Sequence, residues 1–329
     1  MDIALQIILL IVGFVILIKG ADWLVEGSSS AASHFKVPKQ LIGLTIVAFG
    51  TSAPELAVSF ASLISGKTDV LIATVIGSNV LNALLLVGIA AVVSPPIKIK
   101  RNTISKELPL LLLISASMIT LLLDSGITET ETLTFSRSDA IICLLLFAVF
   151  LYYIINIIHK SRHSKKEIEK PRYKLGKSLL LIIVGLAGVV AGGELVVNSA
   201  TTVATNIGIS DRIIALTIIN IGTALPEIVT TITAARKKES ELLVGNLVGS
   251  NIFNICIVLG LPVALLGTIT LASFTLIDLM MPIISSALLW WVSRRGSHGK
   301  DGKILRYEGF IMLLAFLLYY GYVIYGAFN

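Results

Sequence analysis

The chain has 329 residues, 55% of them hydrophobic and 14% charged, against about 25% charged in a soluble domain. That balance excludes an ordinary soluble globule and indicates a polytopic integral membrane protein. The formal net charge of +6 does not call for nucleic acid, because the placement of Lys and Arg in loops matters more here than their sum; Cys143 and Cys256 lie inside apolar runs and offer no disulfide framework.

Ten segments are long enough to cross a hydrocarbon core of roughly 30 Å, which takes about 20 helical residues. They lie near 3–20, 38–65, 70–94, 108–124, 138–158, 178–200, 212–235, 241–268, 272–293 and 308–327. The first has no basic leading region and no convincing cleavage site, so it reads as a true span rather than a secretory signal. Asp22 and Glu26 follow it and Glu194 lies near the end of the sixth; all three read as interfacial or gating charges.

The second span carries GTSAPE, residues 50–55, in the middle of an apolar run. A carboxylate at that depth costs roughly 2.5–3.5 kcal/mol on insertion scales, so Glu55 requires a partner or a purpose. Pro54 lacks the N–H that would bond the carbonyl four residues earlier, and Gly50 tolerates the freed backbone. A helix break is therefore expected at Gly50 and Pro54, with open carbonyls from Ala48 to Thr51 beside the hydroxyls of Thr51 and Ser52. The third span carries GSNVLN, in which Ser78 and Asn82 are four residues apart and share a helix face.

After the fifth span comes the longest polar connection, His159 to Lys177, with six Lys and two Arg, which belongs on the cytoplasmic side. The basic connections 95–107, 236–240 and 294–307 then fall on that side too, and 125–137 and 268–273 on the other. Five spans precede the linker and five follow, so both termini are expected outside the cytoplasmic membrane. The linker is too short to hold a folded sensing domain.

The seventh and eighth spans repeat the second and third. Residues 41–88 over 213–260 give 14 identities in 48 positions without a gap, among them Gly50/Gly222, Thr51/Thr223, Pro54/Pro226, Glu55/Glu227, Ser78/Ser250 and Asn82/Asn254, each pair 172 residues apart. Two apolar helices matching by chance would share Leu, Ile and Val rather than spaced Gly, Pro, Glu and Asn. Five spans per repeat is an odd number, so the halves enter the membrane from opposite faces. The expected fold is an all-α polytopic membrane protein of ten transmembrane helices in two inverted five-helix repeats, 1–158 and 178–329, joined by linker 159–177, with a second break at Gly222 and Pro226. The two breaks are expected to face each other, since open backbone at membrane depth survives only against protein or a cavity. The resulting donor set is all oxygen, with two carboxylates, which suits Ca²⁺ rather than zinc or copper.

Together, GTSAPE with GSNVLN and GTALPE with GSNIFN resemble the two α-repeats of the cation/Ca²⁺ exchanger superfamily, most closely its prokaryotic Na⁺/Ca²⁺ exchangers, over essentially the whole chain. The resemblance implies that Glu55 and Glu227 are the principal Ca²⁺ ligands, assisted by the carbonyls of Thr51 and Thr223. It implies Na⁺ ligation by Ser52, Ser78 and Ser250, by the carbonyls of Ala48 and Asn220, and by the same two glutamates, with Asn82 and Asn254 at or beside the centre. A secondary antiporter follows, not an enzyme, with Na⁺ and Ca²⁺ as cargo, the bilayer as its setting, no cofactor and no obligate protein partner. Three departures bear on selectivity. Ala224 stands where Na⁺-coupled relatives commonly have Ser, Asn220 replaces a small apolar residue, and neutral Asn254 stands where K⁺-dependent relatives carry Asp. Exchange of Ca²⁺ or another divalent ion for H⁺ at the glutamate pair is the alternative coupling.

Overall fold

The structure is a computed structural model describing residues 3–127, 133–162, 170–207, 220–271, 274–295 and 301–328. The expected start of the seventh span, 212–219, and the acidic residues Glu129 and Glu131 lie outside the described residues. Among the described residues eight helices are long and apolar enough to cross a membrane, and the pair Lys39–Thr51 and Ala53–Ile64, bent by 42°, makes a ninth span if taken as one. In the second half Asn220–Thr223 and Leu225–Arg236 occupy the position of that bent pair. The fold is a ten-helix membrane protein of two inverted repeats.

Contacts divide the chain into two compact units, Met1–Glu55 with Lys160–Asn246, and Leu56–His159 with Leu247–Asn329. Each unit therefore takes segments from both repeats.

The first unit is built on α1 (Ile3–Phe35) and α9 (Leu175–Asn206). At 1.5 Å per residue α1 is about 50 Å long and continues well beyond the hydrocarbon core. The first span was expected to end near residue 20, but Gly20 is a contact point and not a terminus. A Cβ on Gly20 would lie 2.6 Å from the Val189 amide nitrogen, and one on Gly192 2.5 Å from that of Leu17. Likewise a Cβ on Gly185 would meet the Leu24 amide nitrogen at 2.5 Å, and one on Gly13 that of Val196 at 3.0 Å. Leu17 and Val189, and Leu24 and Val196, are themselves 172 residues apart. The antiparallel pair is thus two-fold symmetric in its packing, with glycines letting the backbones touch, as membrane helices require when no hydrophobic force drives them together. This unit also holds α2 (Lys39–Ile42), a π-helical segment Gly43–Val47, α3 (Ala48–Thr51), α10 (Asn220–Thr223) and α11 (Leu225–Arg236). Two further helices, α4 (Ala53–Ile64) and α12 (Ser240–Phe253), begin in it.

The second unit contains α5 (Thr68–Val80), α6 (Val87–Val93), α7 (Leu108–Ile127), α8 (Arg137–Arg162), α13 (Gly260–Leu266), α14 (Leu276–Arg294) and α15 (Arg306–Phe328). Four three-residue strands, β1 (Ile97–Ile99), β2 (Leu133–Phe135), β3 (Ile269–Leu271) and β4 (Gly302–Ile304), were not expected in an all-helical chain. They form two antiparallel ribbons, Ile97 opposite Ile304 and Leu133 opposite Leu271. Each ribbon joins one connection from each repeat, and each joins two connections that the charge pattern places on a common face. Ile97 and Ile269 are again 172 apart, while β2 and β4 are 169 apart, so the repeat relates the two ribbons with a three-residue slip.

Candidate ion-binding site

Both breaks form, two residues later than the glycines. The chain leaves helical geometry at Ser52, with φ −87° and ψ 8°, and at Ala224, with φ −85° and ψ −1°. Pro54 and Pro226 stand just inside the helices that follow, where a missing N–H costs nothing. Gly50 and Gly222 do not supply the bend; a Cβ on either would collide with Leu186 or Val197. The Ala48 carbonyl, expected open, accepts the Ser52 N–H at 3.0 Å.

The breaks bring the buried polar groups of the first unit together. Glu55 and Glu227 are 1% and 2% exposed, and Thr51 and Ser52 are fully buried. Ser52 Oγ donates to Glu227 Oε1 at 3.0 Å, so the first break reaches the carboxylate that follows the second. Glu227 Oε2 has no hydrogen-bond partner among the described residues. By the repeat, the hydroxyl that would approach Glu55 as Ser52 approaches Glu227 belongs at position 224, and alanine stands there. Thr223 is half-buried, and the side chain of Asn220 lies outside the described residues.

Asn246 was not expected. It is buried on α12, with its Oδ1 3.4 Å from Thr51 Oγ1, itself 3.4 Å from the Ala48 carbonyl. Glycines seat it: Gly43 lies against the Leu242 carbonyl and the Asn246 nitrogen, and Gly245 against the Gln40 carbonyl. Its repeat counterpart is Thr74, so internal symmetry could not point to it.

In the second unit Ser78, Asn82, Ser250 and Asn254 are all buried. Asn82 Nδ2 donates to Asn251 Oδ1 at 3.0 Å, and Asn251 Nδ2 donates to the Asn79 carbonyl at 3.3 Å. That network leaves both kinds of group over: Asn82 Oδ1, Asn254 Oδ1 and Ser250 Oγ, and likewise Asn79 Nδ2 and Asn254 Nδ2, have no hydrogen-bond partner among the described residues. Asn79 and Asn251 were legible as matched residues of the repeat and had been left out of the site. Directly around Asn82 and from Asn254 onward the helices widen into π-helical segments, Leu81–Leu86 and Asn254–Leu259, a departure that accompanies functional positions.

Chemically, the first unit buries two carboxylates with the hydroxyls of Thr51 and Ser52 and the amide oxygen of Asn246, a donor set of oxygen. Among the described residues no group of three or more His, Cys, Asp or Glu side chains is placed to hold a metal ion. A hard cation is what such a donor set can hold.

The comparisons with known proteins agree in kind. A family model described as sodium/calcium exchanger protein matches residues 5–156 and 177–325. The putative antiporter CaxA of Alkalimonas amylolytica is 35% identical over 323 residues, 95% of this chain and 96% of that protein. The sodium/calcium exchanger MaX1 of Methanosarcina acetivorans is 28% identical over 96% of this chain and 98% of its own length. A solved structure of the sodium-calcium exchanger NCX_Mj, soaked with Na⁺ and without Ca²⁺, matches with a TM-score of 0.82 at 29% identity, over 96% of this chain and 98% of that one. The chain belongs to the sodium/calcium exchanger protein family.

Proposed function

We propose that the protein is a secondary antiporter of the cytoplasmic membrane that exchanges Na⁺ for Ca²⁺ and expels Ca²⁺, with the linker 159–177 in the cytoplasm and both termini outside. The observation that carries the reading is that Glu55 and Glu227 are both buried just after two repeat-related helix breaks, with Ser52 of the first break donating to Glu227. In this reading the two carboxylates, with the carbonyls of Thr51 and Thr223, take Ca²⁺. Na⁺ takes the same glutamates with Ser52, Ser78, Ser250 and the carbonyls of Ala48 and Asn220, while Asn82 and Asn254 hold or flank the centre. Because the ion sets share ligands, occupancy by one excludes the other, and that exclusion couples the gradients. The glycine-packed pair α1 and α9 is the element that slides past the ligand-bearing helices once the site is loaded.

The test is equilibrium Ca²⁺ binding and Ca²⁺ uptake by the variants Glu55→Gln and Glu227→Gln. Each keeps the shape and removes one charge, so binding should weaken by about 100-fold, ~2.8 kcal/mol, with thermal unfolding unchanged. Near-normal uptake by either variant would remove the carboxylate pair from the mechanism.

A further inference from the structure

A hydroxyl inside a membrane helix commonly folds back on the carbonyl one turn earlier, which satisfies the O–H where water is absent. This chain does so repeatedly: Thr45 bonds the Leu41 carbonyl at 2.7 Å, Thr74 that of Val70 at 2.8 Å, Thr120 that of Ala116 at 2.9 Å and Ser293 that of Leu289 at 2.7 Å. Thr230 and Thr231 do not. They are 2% and 1% exposed, and neither Oγ1 has a hydrogen-bond partner among the described residues. A buried polar atom left without a partner marks a place for a water or an ion.

Their position says which. They follow Glu227 by three and four residues on α11, so they lie on its face of the helix, one turn further on, and Glu227 Oε2 is likewise unpartnered. The same helix runs to Arg236, and the next residue meets a mouth of charged pairs: Lys237 Nζ is 3.0 Å from Asp22 Oδ1 and 3.1 Å from Glu26 Oε1. Glu239 is paired with Lys39 at 3.0 Å and Glu26 also with Arg172 at 3.2 Å, and a cavity of about 350 Å³ opens among these charged residues, Lys170, Ser29 and Ser33. All of these groups belong to the first unit.

We propose that Thr230 and Thr231 are ion-contacting residues of the transport path, taking a partly dehydrated Na⁺ or Ca²⁺ between Glu227 and the mouth formed by Asp22, Glu26 and Glu239. The inference rests on the exchange reading above. Neutral hydroxyl oxygens suit both hard cations, and they hold them weakly enough for passage, whereas a further carboxylate would trap them. Lys237, Arg172 and Lys39 occupy the mouth as tethered cations, and an arriving ion displaces Lys237 from Asp22 and Glu26.

The experiment uses the full chain in proteoliposomes, with Thr230→Val, Thr231→Val and the conservative Thr231→Ser, together with Thr231→Cys in a background where Cys143 and Cys256 are replaced by Ala. On the proposal, each valine slows Na⁺-dependent Ca²⁺ uptake by about tenfold, the loss of one hydroxyl contact to a charged partner. Equilibrium Ca²⁺ binding stays near wild type, serine keeps the rate, and the cysteine reacts with a small water-soluble thiol reagent more slowly in saturating Ca²⁺. Dry packing predicts the opposite: valine relieves an unsatisfied hydroxyl, raises the melting temperature, leaves uptake unchanged, and the cysteine stays unlabelled. Wild-type uptake with unimpaired valine variants, or an unlabelled cysteine, overturns the inference. Failure of the wild type to exchange Na⁺ for Ca²⁺ would instead overturn the function, and cysteine labelling would still decide whether ions and water reach Thr231.

Discussion

The site is symmetric in its carboxylates and asymmetric in what serves them. Glu227 receives a hydroxyl from Ser52, while the corresponding position beside Glu55 is Ala224. A hydrogen bond to a charged group contributes about 1.5–3 kcal/mol. Ser52→Ala should therefore raise the Na⁺ concentration needed for half-maximal exchange by about tenfold, read from the Na⁺ dependence of Ca²⁺ uptake, since each ~1.4 kcal/mol is tenfold. Ala224→Ser should act the other way and lower it severalfold; an unchanged Na⁺ dependence in both would mean that neither position touches Na⁺. Glu55 and Glu227 were legible from sequence because a carboxylate within an apolar run has few bland explanations. The Ser52 to Glu227 bond was not, because it joins residues 175 apart through two breaks whose directions only the folded backbone sets. Asn246 was invisible for a different reason: its role depends on the close approach of Gly43 and Gly245 to backbone on the neighbouring helix.

At the scale of elements, the contact between α1 and α9 is the feature most exposed to a single added group. Gly20→Val must push apart two backbones already in contact, and overpacking of this kind costs typically about 1–3 kcal/mol. Thermal unfolding in detergent should show it as a lowered midpoint. Gly321→Ala on α15 is the control: a Cβ there meets nothing within 4 Å among the described residues, and a midpoint at or slightly above wild type is expected. The C-terminal part of α1 is tied to the segment 170–177 as well. Tyr173 OH donates to Glu26 Oε2 at 2.7 Å, and this bond holds the phenol above its ordinary value. A raised value in the folded state means that the stabilisation is complete below the unfolded phenol's titration near pH ~10 and fades as pH rises beyond it. Tyr173→Phe should flatten that alkaline limb of a stability profile and leave the neutral region with a small, pH-independent offset. None of this linker contact was legible, since the run from His159 to Lys177 reads only as charge. The π-helical segments at Gly43–Val47, Leu81–Leu86, Thr103–Glu107 and Asn254–Leu259 were equally hidden, because an inserted residue leaves no mark in the hydrophobic pattern.

For the whole molecule the constant offset of 172 residues carries most of what could be read in advance: the repeat, its inversion, the paired breaks and the common faces of the loops. The structure extends the same symmetry to features no motif announced, the reciprocal glycines of α1 and α9 and, with a three-residue slip, the two ribbons. The compact units do not follow the repeat boundary at the linker. Each draws on both halves, because a symmetry between halves is satisfied by packing one against the other rather than by each folding alone. The central claim is that this symmetric pair of carboxylates couples Ca²⁺ to Na⁺. Radioactive Ca²⁺ uptake into proteoliposomes loaded with Na⁺ tests it, compared with K⁺-loaded vesicles and with vesicles carrying only a pH gradient. Uptake driven by outward Na⁺ alone is the predicted result. Uptake driven by the pH gradient and indifferent to Na⁺ would contradict it, and would make Glu55 and Glu227 carriers of protons instead.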